Sequence, residues 1–100
     1  MILGSVTKQP AEVFPVTVDF AAELATGETV SSGTVTARNA STGVDTTSTV
    51  TTGSATASGT TLAKKITGGA DGVDHILTFT ATTSASNVYE AEVSLIVRAT

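Results

Sequence analysis

Val73-Asp74-His75-Ile76-Leu77-Thr78-Phe79-Thr80-Ala81-Thr82-Thr83 decides the fold. Read with a period of two, Val73, His75, Leu77, Phe79 and Ala81 share one face, while Asp74, Ile76, Thr78 and Thr80 share the other. An extended backbone sends successive side chains to opposite sides, so this spacing predicts a long strand with Leu77 and Phe79 in the core. Gly68-Gly69-Ala70-Asp71-Gly72, just upstream, is the strongest turn signal in the chain, because its glycines accept positive φ without strain. Downstream, Ser84-Ala85-Ser86-Asn87 connects to a second alternation. There Tyr89, Ala91, Val93, Leu95 and Val97 oppose Glu90, Glu92, Ser94, Ile96 and Arg98, which specifies the final strand.

The same period recurs toward the N-terminus. Phe14, Val16, Val18 and Phe20 lie two apart and form the clearest early strand. Pro15 removes a ladder donor there, so the strand is expected at a sheet edge or with that nitrogen turned outward. Ala21-Ala22-Glu23-Leu24 interrupts the alternation and reads as a single helical turn tucking Leu24 under the sheet, followed by a turn at Thr26-Gly27-Glu28. Val30 to Arg38 resumes a strand with a thin apolar face of Val35 and Ala37, and Asn39 to Gly43 has turn composition. Thr46 to Thr52 is read as a polar strand whose single large apolar member is Val50. Gly53 to Gly59 is read as a loop with a short strand, and Thr60 to Ile66 as a strand in which Leu62 and Ile66 flank Lys64.

Six or seven short strands with a turn every eight to twelve residues or so predict an all-β chain, an immunoglobulin-like antiparallel β-sandwich without disulfide or buried Trp. A small β-barrel is the architectural alternative. One hundred residues accommodate one domain, set at 10–100, preceded by an N-terminal arm or first edge segment at 1–9. Phe14, Phe20, Phe79 and Tyr89 are the only aromatics. At about 25 cal/mol per Å2 of apolar burial such a core gives modest stability, so contacts between copies are expected to add to it, and dilution is then expected to lower the melting temperature.

Composition excludes several functions. With 21 Thr and 10 Ser, and with one His, one Tyr, no Trp and no Cys, little side-chain material remains for catalysis. A net charge of -4 argues against nucleic acid or an anionic membrane as partner, since either needs a cationic patch. Lys8, Arg38, Lys64, Lys65 and Arg98 are the cations, and only two of them adjoin. No stretch approaches the roughly 18 apolar residues of a membrane span, and Met1-Ile2-Leu3-Gly4 has no basic leader, so synthesis in a cytoplasm is expected.

Each candidate site has a simpler explanation. His75 needs further ligands to hold a metal, and the neighbouring Asp74 points to the opposite strand face, so a packed or rim histidine is expected. Asp71, Gly72 and Asp74 lack the graded oxygen ligands and the closing Glu of a calcium loop. Glu90 and Glu92 share a strand face about 7 Å apart, a spacing that paired carboxylates use in glycoside chemistry, but nothing around them reads as a sugar cleft. No Gly-x-Ser-x-Gly elbow surrounds any serine, Asn39-Ala40-Ser41 is a glycosylation acceptor only in a secreted chain, and Gly68 to Gly72 lacks the ending of a phosphate loop. No catalytic, cofactor-binding or metal residue is assigned, and no cofactor is expected. Thr-rich strands offer sheet edges to which another chain can add a strand, although Thr as an ordinary solvent-facing β residue is the favoured reading.

Lys8-Gln9-Pro10-Ala11-Glu12-Val13-Phe14-Pro15-Val16-Thr17-Val18-Asp19-Phe20, followed by Leu24 and Gly27-Glu28-Thr29-Val30, resembles the opening of small tailed-bacteriophage virion proteins. These begin with a Pro and an acidic residue, run through a strand ending in Asp-Phe or Asp-Trp, and continue with a Leu and a Gly-x-x-Ile or Gly-x-x-Val turn. Phe20 stands where Trp is common, and the Thr-rich middle from Ser31 to Thr61 lies outside the resemblance. The resemblance implies a noncatalytic sandwich of the tail-fibre adaptor or neck type. Such a protein bridges a neck or tail ring to a fibre or neighbouring ring in the virion and contacts other virion proteins and copies of itself. Capsid decoration is the alternative within structural roles, and a host-surface carbohydrate-binding module the alternative outside them. The N-terminal arm, with Ile2 and Leu3, is the expected docking element.

Overall fold

Asp74 to Thr83 and Val88 to Val97 form two ten-residue strands in the computed structural model, which describes residues 2–99 and side chains from residue 4 onward. In chain order the described residues give β1 (Ile2–Lys8), β2 (Phe14–Asp19), β3 (Val30–Asn39), the single-turn helix α1 (Thr47–Val50), β4 (Thr51–Ser58), β5 (Thr61–Ile66), β6 (Asp74–Thr83) and β7 (Val88–Val97). The strands make two sheets, ordered β1-β7-β6-β3 and β2-β5-β4. The all-β sandwich expected from the alternation is the one observed.

Strand alternation places the core. On β6 every second residue from His75 to Thr83 is buried, and on β7 the same holds for Ala91, Val93, Leu95 and Val97. The two strands pair antiparallel with Leu77 opposite Val93 and Phe79 opposite Ala91, so their apolar rows merge into one inner face. The second sheet answers with Val16 and Val18 on β2 and Leu62 and Ile66 on β5. Gly33 on β3 lets the sheets approach. A Cβ there would lie 2.6 Å from Leu62 Cδ2 and 2.7 Å from the Thr80 carbonyl oxygen.

Expected edge placement of Pro15 holds, since β2 borders its sheet. The Phe20 N–H donates to the Thr60 carbonyl at 2.8 Å, which turns the even-numbered donors of β2 toward β5 and the Pro15 nitrogen toward the open edge. Ala21 to Leu24 forms turns closed by Glu23 N–H to Phe20 O and Leu24 N–H to Ala21 O, with Leu24 half-buried against the core.

Two readings of the middle need correction. Thr46 to Thr52 is no continuous strand, because Thr47 to Val50 is a helical turn that drops Val50 completely into the core. Local side-chain bonds favour the turn: Asp45 Oδ1 accepts the Thr47 N–H at 2.8 Å, and Thr51 Oγ1 donates to the Thr47 carbonyl at 2.6 Å. Gly53 to Ser58, expected to be mainly loop, lies within β4, which is irregular between Thr52 and Thr56. Four steps along β4 there match two along β5, the signature of a bulge.

The first residues run as an edge strand. β1 pairs parallel with β7, from Ile2 opposite Glu92 to Lys8 opposite Val97. Ile2 and Leu3 belong to this strand, with side chains outside the described residues. Lys8 turns inward and is 1% exposed, its Nζ donating to the carbonyls of Gln9, Pro10 and Gly68 at 2.7, 3.1 and 2.6 Å. Those three acceptors match the three donors of an ammonium group and tie the end of β1 to the turn before β6.

Candidate functional site

His75 is 3% exposed on the core row of β6, with Nδ1 2.9 Å from Thr46 Oγ1 and Nε2 without a partner. Burial pushes its pKa below the ordinary imidazole value, against the smaller opposing influence of Asp74. The residue is therefore a packed histidine. Asp74 faces outward and pairs with Arg98 at 2.8 Å, while Asp71 Oδ1 accepts the Ala99 N–H. No group of three His, Asp or Glu side chains converges among the described residues.

Glu90 is exposed, and Glu92 pairs with Arg38 at 3.1 Å, so the two carboxylates that share a strand face hold different environments. Asn39 Oδ1 caps its own turn by accepting the N–H groups of Ser41 and Thr42. Glu28 is a buried carboxylate that sequence reading passed over. Its Oε1 accepts the Ala25 N–H and its Oε2 accepts from Thr83 Oγ1 and Asn87 Nδ2, which joins the turn before β3 to the β6–β7 hairpin. These donors, Thr83 foremost, hold its pKa below the usual carboxylate value. The arrangement is structural, with every acceptor aimed at a turn.

On the outer face of the four-stranded sheet, Thr34, Thr80 and Glu90 align in one row and Thr36, Thr78 and Glu92 in the next. Hydroxyls dominate, and none of the four aromatics is exposed. Exposed large apolar residues among the described ones are Val13, Val44 and Val88, which sit apart in sequence on separate connections or strand ends.

The sheet edges differ in their covering. β3 is covered along its last third, where Asn39 N–H donates to Val44 O, Thr46 N–H donates to Ala37 O, and Ala37 N–H donates to Thr47 Oγ1. β4 carries its bulge, and Lys64 Nζ donates to the Gly53 carbonyl within it. β2 presents Pro15 to the outside. β1 is irregular near its start, where two steps from Ile2 to Gly4 match one along β7. The Arg98 N–H donates to the Lys8 carbonyl, so even-numbered residues of β1 aim their backbone groups at β7, and Ser5 and Thr7 aim theirs away from the sheet. Beside that edge a groove runs between β1 and β2, lined by Gly4, Val6, Val16, Val18 and Val93 among others.

The family described as podophage GP4 fiber-tail adaptor protein gp77 matches residues 8–96. The chain belongs to this family. The matched segment runs from the last residue of β1 to the penultimate residue of β7 and so takes in both sheets. Comparison with curated proteins gives no match. Membership supports a phage fibre–tail adaptor with a structural role in the virion and with other tail proteins as its partners. The resemblance drawn from Lys8 to Phe20 pointed to the same kind of protein. Lys8 and Glu28, the two buried charges among the described residues, were not legible as such. The available signal for Lys8 was its place two residues after Val6 on an alternating strand.

Proposed function

We propose that this adaptor is a noncatalytic building block of the virion that bridges a neck or tail ring to a fibre or to a neighbouring ring. The observation that carries the reading is the family match across both sheets, joined to a surface of hydroxyls and strand edges. The reading extends to an immunoglobulin-like arrangement. Lettered in chain order, the strands run A-G-F-C in one sheet and B-E-D in the other, which keeps the C-F-G and B-E-D groupings of that fold and moves the first strand beside the last. Several copies arranged symmetrically would add weak contacts through multivalency. A carbohydrate-binding module is disfavoured because no aromatic ring is exposed for sugar stacking.

Mass spectrometry of purified particles, followed by localisation in a particle map, tests the proposal. Density for the sandwich between tail and fibre is the expected result. Its placement on the capsid lattice, or absence from the particle, would overturn the bridging role.

A further inference from the structure

We infer that a pocket on the outer face of the sheet β2-β5-β4 receives the carboxylates of an acidic segment from another tail polypeptide, an inference that rests on the adaptor reading. The cations of the chain divide by environment. Arg38 and Arg98 pair with Glu92 and Asp74, and Lys8 is buried under three carbonyls. Lys64 and Lys65 pair with no carboxylate among the described residues, although the chain carries nine acidic side chains against five basic ones. Both line one pocket of about 300 Å3.

Adjacent residues of a strand point to opposite faces, so two neighbouring lysines ordinarily part company. Here the bulge in β4 brings them to one place. Lys65 is out of phase with the buried Leu62 and Ile66 and lies on the outer face, whereas Lys64 shares their phase but sends Nζ to the Gly53 carbonyl within the bulge, at the wall of the pocket. That bond holds the charge in place and occupies one of three ammonium donors, which leaves two. Thr52 and Thr56 border the pocket from β4 and Ser54 from the bulge, and no hydrogen bond among the described residues engages their hydroxyls. Ala63 contributes only a methyl group, so the depression stays open.

Charge selects the occupant. Asp19, the carboxylate on the same face, lies opposite Thr61, about 13 Å along β5 from Lys65, and its Oδ1 already accepts from the Ala21 N–H and Thr60 Oγ1. The positive charge of the pocket is thus uncompensated within the chain, and a carboxylate brings both the opposite charge and acceptors for the ammonium and hydroxyl donors. A polyanion such as nucleic acid is a poorer occupant, because the net charge of -4 repels it at long range, while one or two carboxylates on a polypeptide add little charge. A second copy carries the same -4 and is repelled likewise. Lysine has no planar fork, so recognition here is by charge more than by fixed geometry, which suits side chains on a loop or chain end.

Titration of the isotope-labelled full chain with an N-acetylated, C-amidated Glu-Glu dipeptide, followed by NMR, tests the inference. The amides of Thr52 to Thr56 and of Ala63 to Lys65 are expected to shift saturably with a Kd of about 1 mM, and the matching Gln-Gln dipeptide to leave them in place. The double variant Lys64→Gln/Lys65→Gln should bind the Glu-Glu peptide at least about tenfold more weakly, and so should the natural chain when salt rises from about 0.05 to about 0.5 M. Absence of saturable shifts, or equal shifts with Gln-Gln, overturns the proposal. Inorganic phosphate that binds as tightly as the peptide overturns the carboxylate assignment, and the same shifts arising with protein concentration alone, together with a dimer mass, overturn it by making a second copy the occupant. As a second arm, Lys64→Glu/Lys65→Glu should reduce incorporation into particles at least about tenfold, while Thr34→Ala on the opposite sheet leaves it unchanged. Wild-type incorporation of the reversed variant overturns the proposal, and if that variant fails to fold, the titration of the natural chain decides. A wild-type particle that contains no copies defeats the adaptor reading itself, and the two failures are thus distinguishable.

Discussion

The sheet β1-β7-β6-β3 buries unbroken inner rows on its two central strands, whereas the sheet β2-β5-β4 sets Lys64 between Leu62 and Ile66 and interrupts β4 with a bulge. Leu77, Phe79, Leu95 and Val97 have no accessible surface. Opposite them, Ala55 and Ala57 are only partly buried and supply small side chains. The central pair of the first sheet thus provides a continuous apolar slab, and the other sheet is fitted onto it through a few large residues. The difference teaches that the central strands of a sandwich can stay regular while the irregularities fall on edge strands, between Ile2 and Gly4 in β1, Val30 and Ser32 in β3, and Thr52 and Thr56 in β4.

The largest effect expected is at Phe79, in the middle of the regular β6–β7 pair. Phe79→Ala should cost about 3–5 kcal/mol in chemical denaturation, because it opens a cavity where Val35 and Ala91 pair with it from both sides. Leu62→Ala, the corresponding deletion in the irregular sheet, should cost about 2–5 kcal/mol, toward the lower end if the bulged sheet relaxes into the space. A cost for Leu62 exceeding that for Phe79 would break the comparison.

Gly33→Ala probes the point where the sheets come closest. The added methyl meets the Leu62 side chain and the Thr80 carbonyl, and a loss of about 1–3 kcal/mol is expected. Combining it with Leu62→Ala should recover part of that loss, since one of the two obstructions is removed, and strict additivity would show that the backbone carbonyl alone sets the cost.

Acid sensitivity sharpens the comparison next, because His75 lies on the regular β6–β7 pair. Its folded pKa is depressed, so below about pH 6.5 the unfolded chain binds the proton more readily and stability falls as pH falls toward the folded value. His75→Asn should flatten the denaturation midpoint across that interval. Glu28 acts at lower pH: its carboxyl is also depressed, so the stability it contributes is present above the ordinary carboxylate pKa and is lost as pH drops through the folded one. A midpoint that remains level down to pH 5 in the wild type would remove the histidine's part.

The smallest effect belongs to Arg38, which bonds Glu92 on the outer face with its side chain 44% exposed. Arg38→Ala should change stability by about 1 kcal/mol or less and lose even that in high salt. Thermal denaturation at two ionic strengths measures it.

Legibility followed apolar alternation. β6 and β7 were readable residue by residue, because buried and exposed positions alternate without interruption. Phe14 to Asp19 was readable for the same reason, and Pro15 announced its edge. Between Thr46 and Ser58 the signal failed: Thr, Ala, Ser and Gly differ too little in hydrophobicity for a period to emerge, and hydroxyl bonds to the backbone settled the helical turn at Thr47 to Val50. Lys8 was hidden by its charge, which normally marks a solvated side chain, although three carbonyls receive it. The parallel pairing of β1 with β7 lay beyond reach because the sequence of a strand does not reveal which neighbour it takes.

The parallel pairing of β1 with β7 has a mechanical consequence for a component of a particle that must hold on to its host. Tension applied between the two ends of the chain draws these strands along one another in opposite senses. The ladder between them is then loaded in shear, every bond at once, where a hairpin pulled from its open end would unzip bond by bond. With Lys8 fastening the far end of β1, a pull on that strand meets the ladder and the Gly68 turn together.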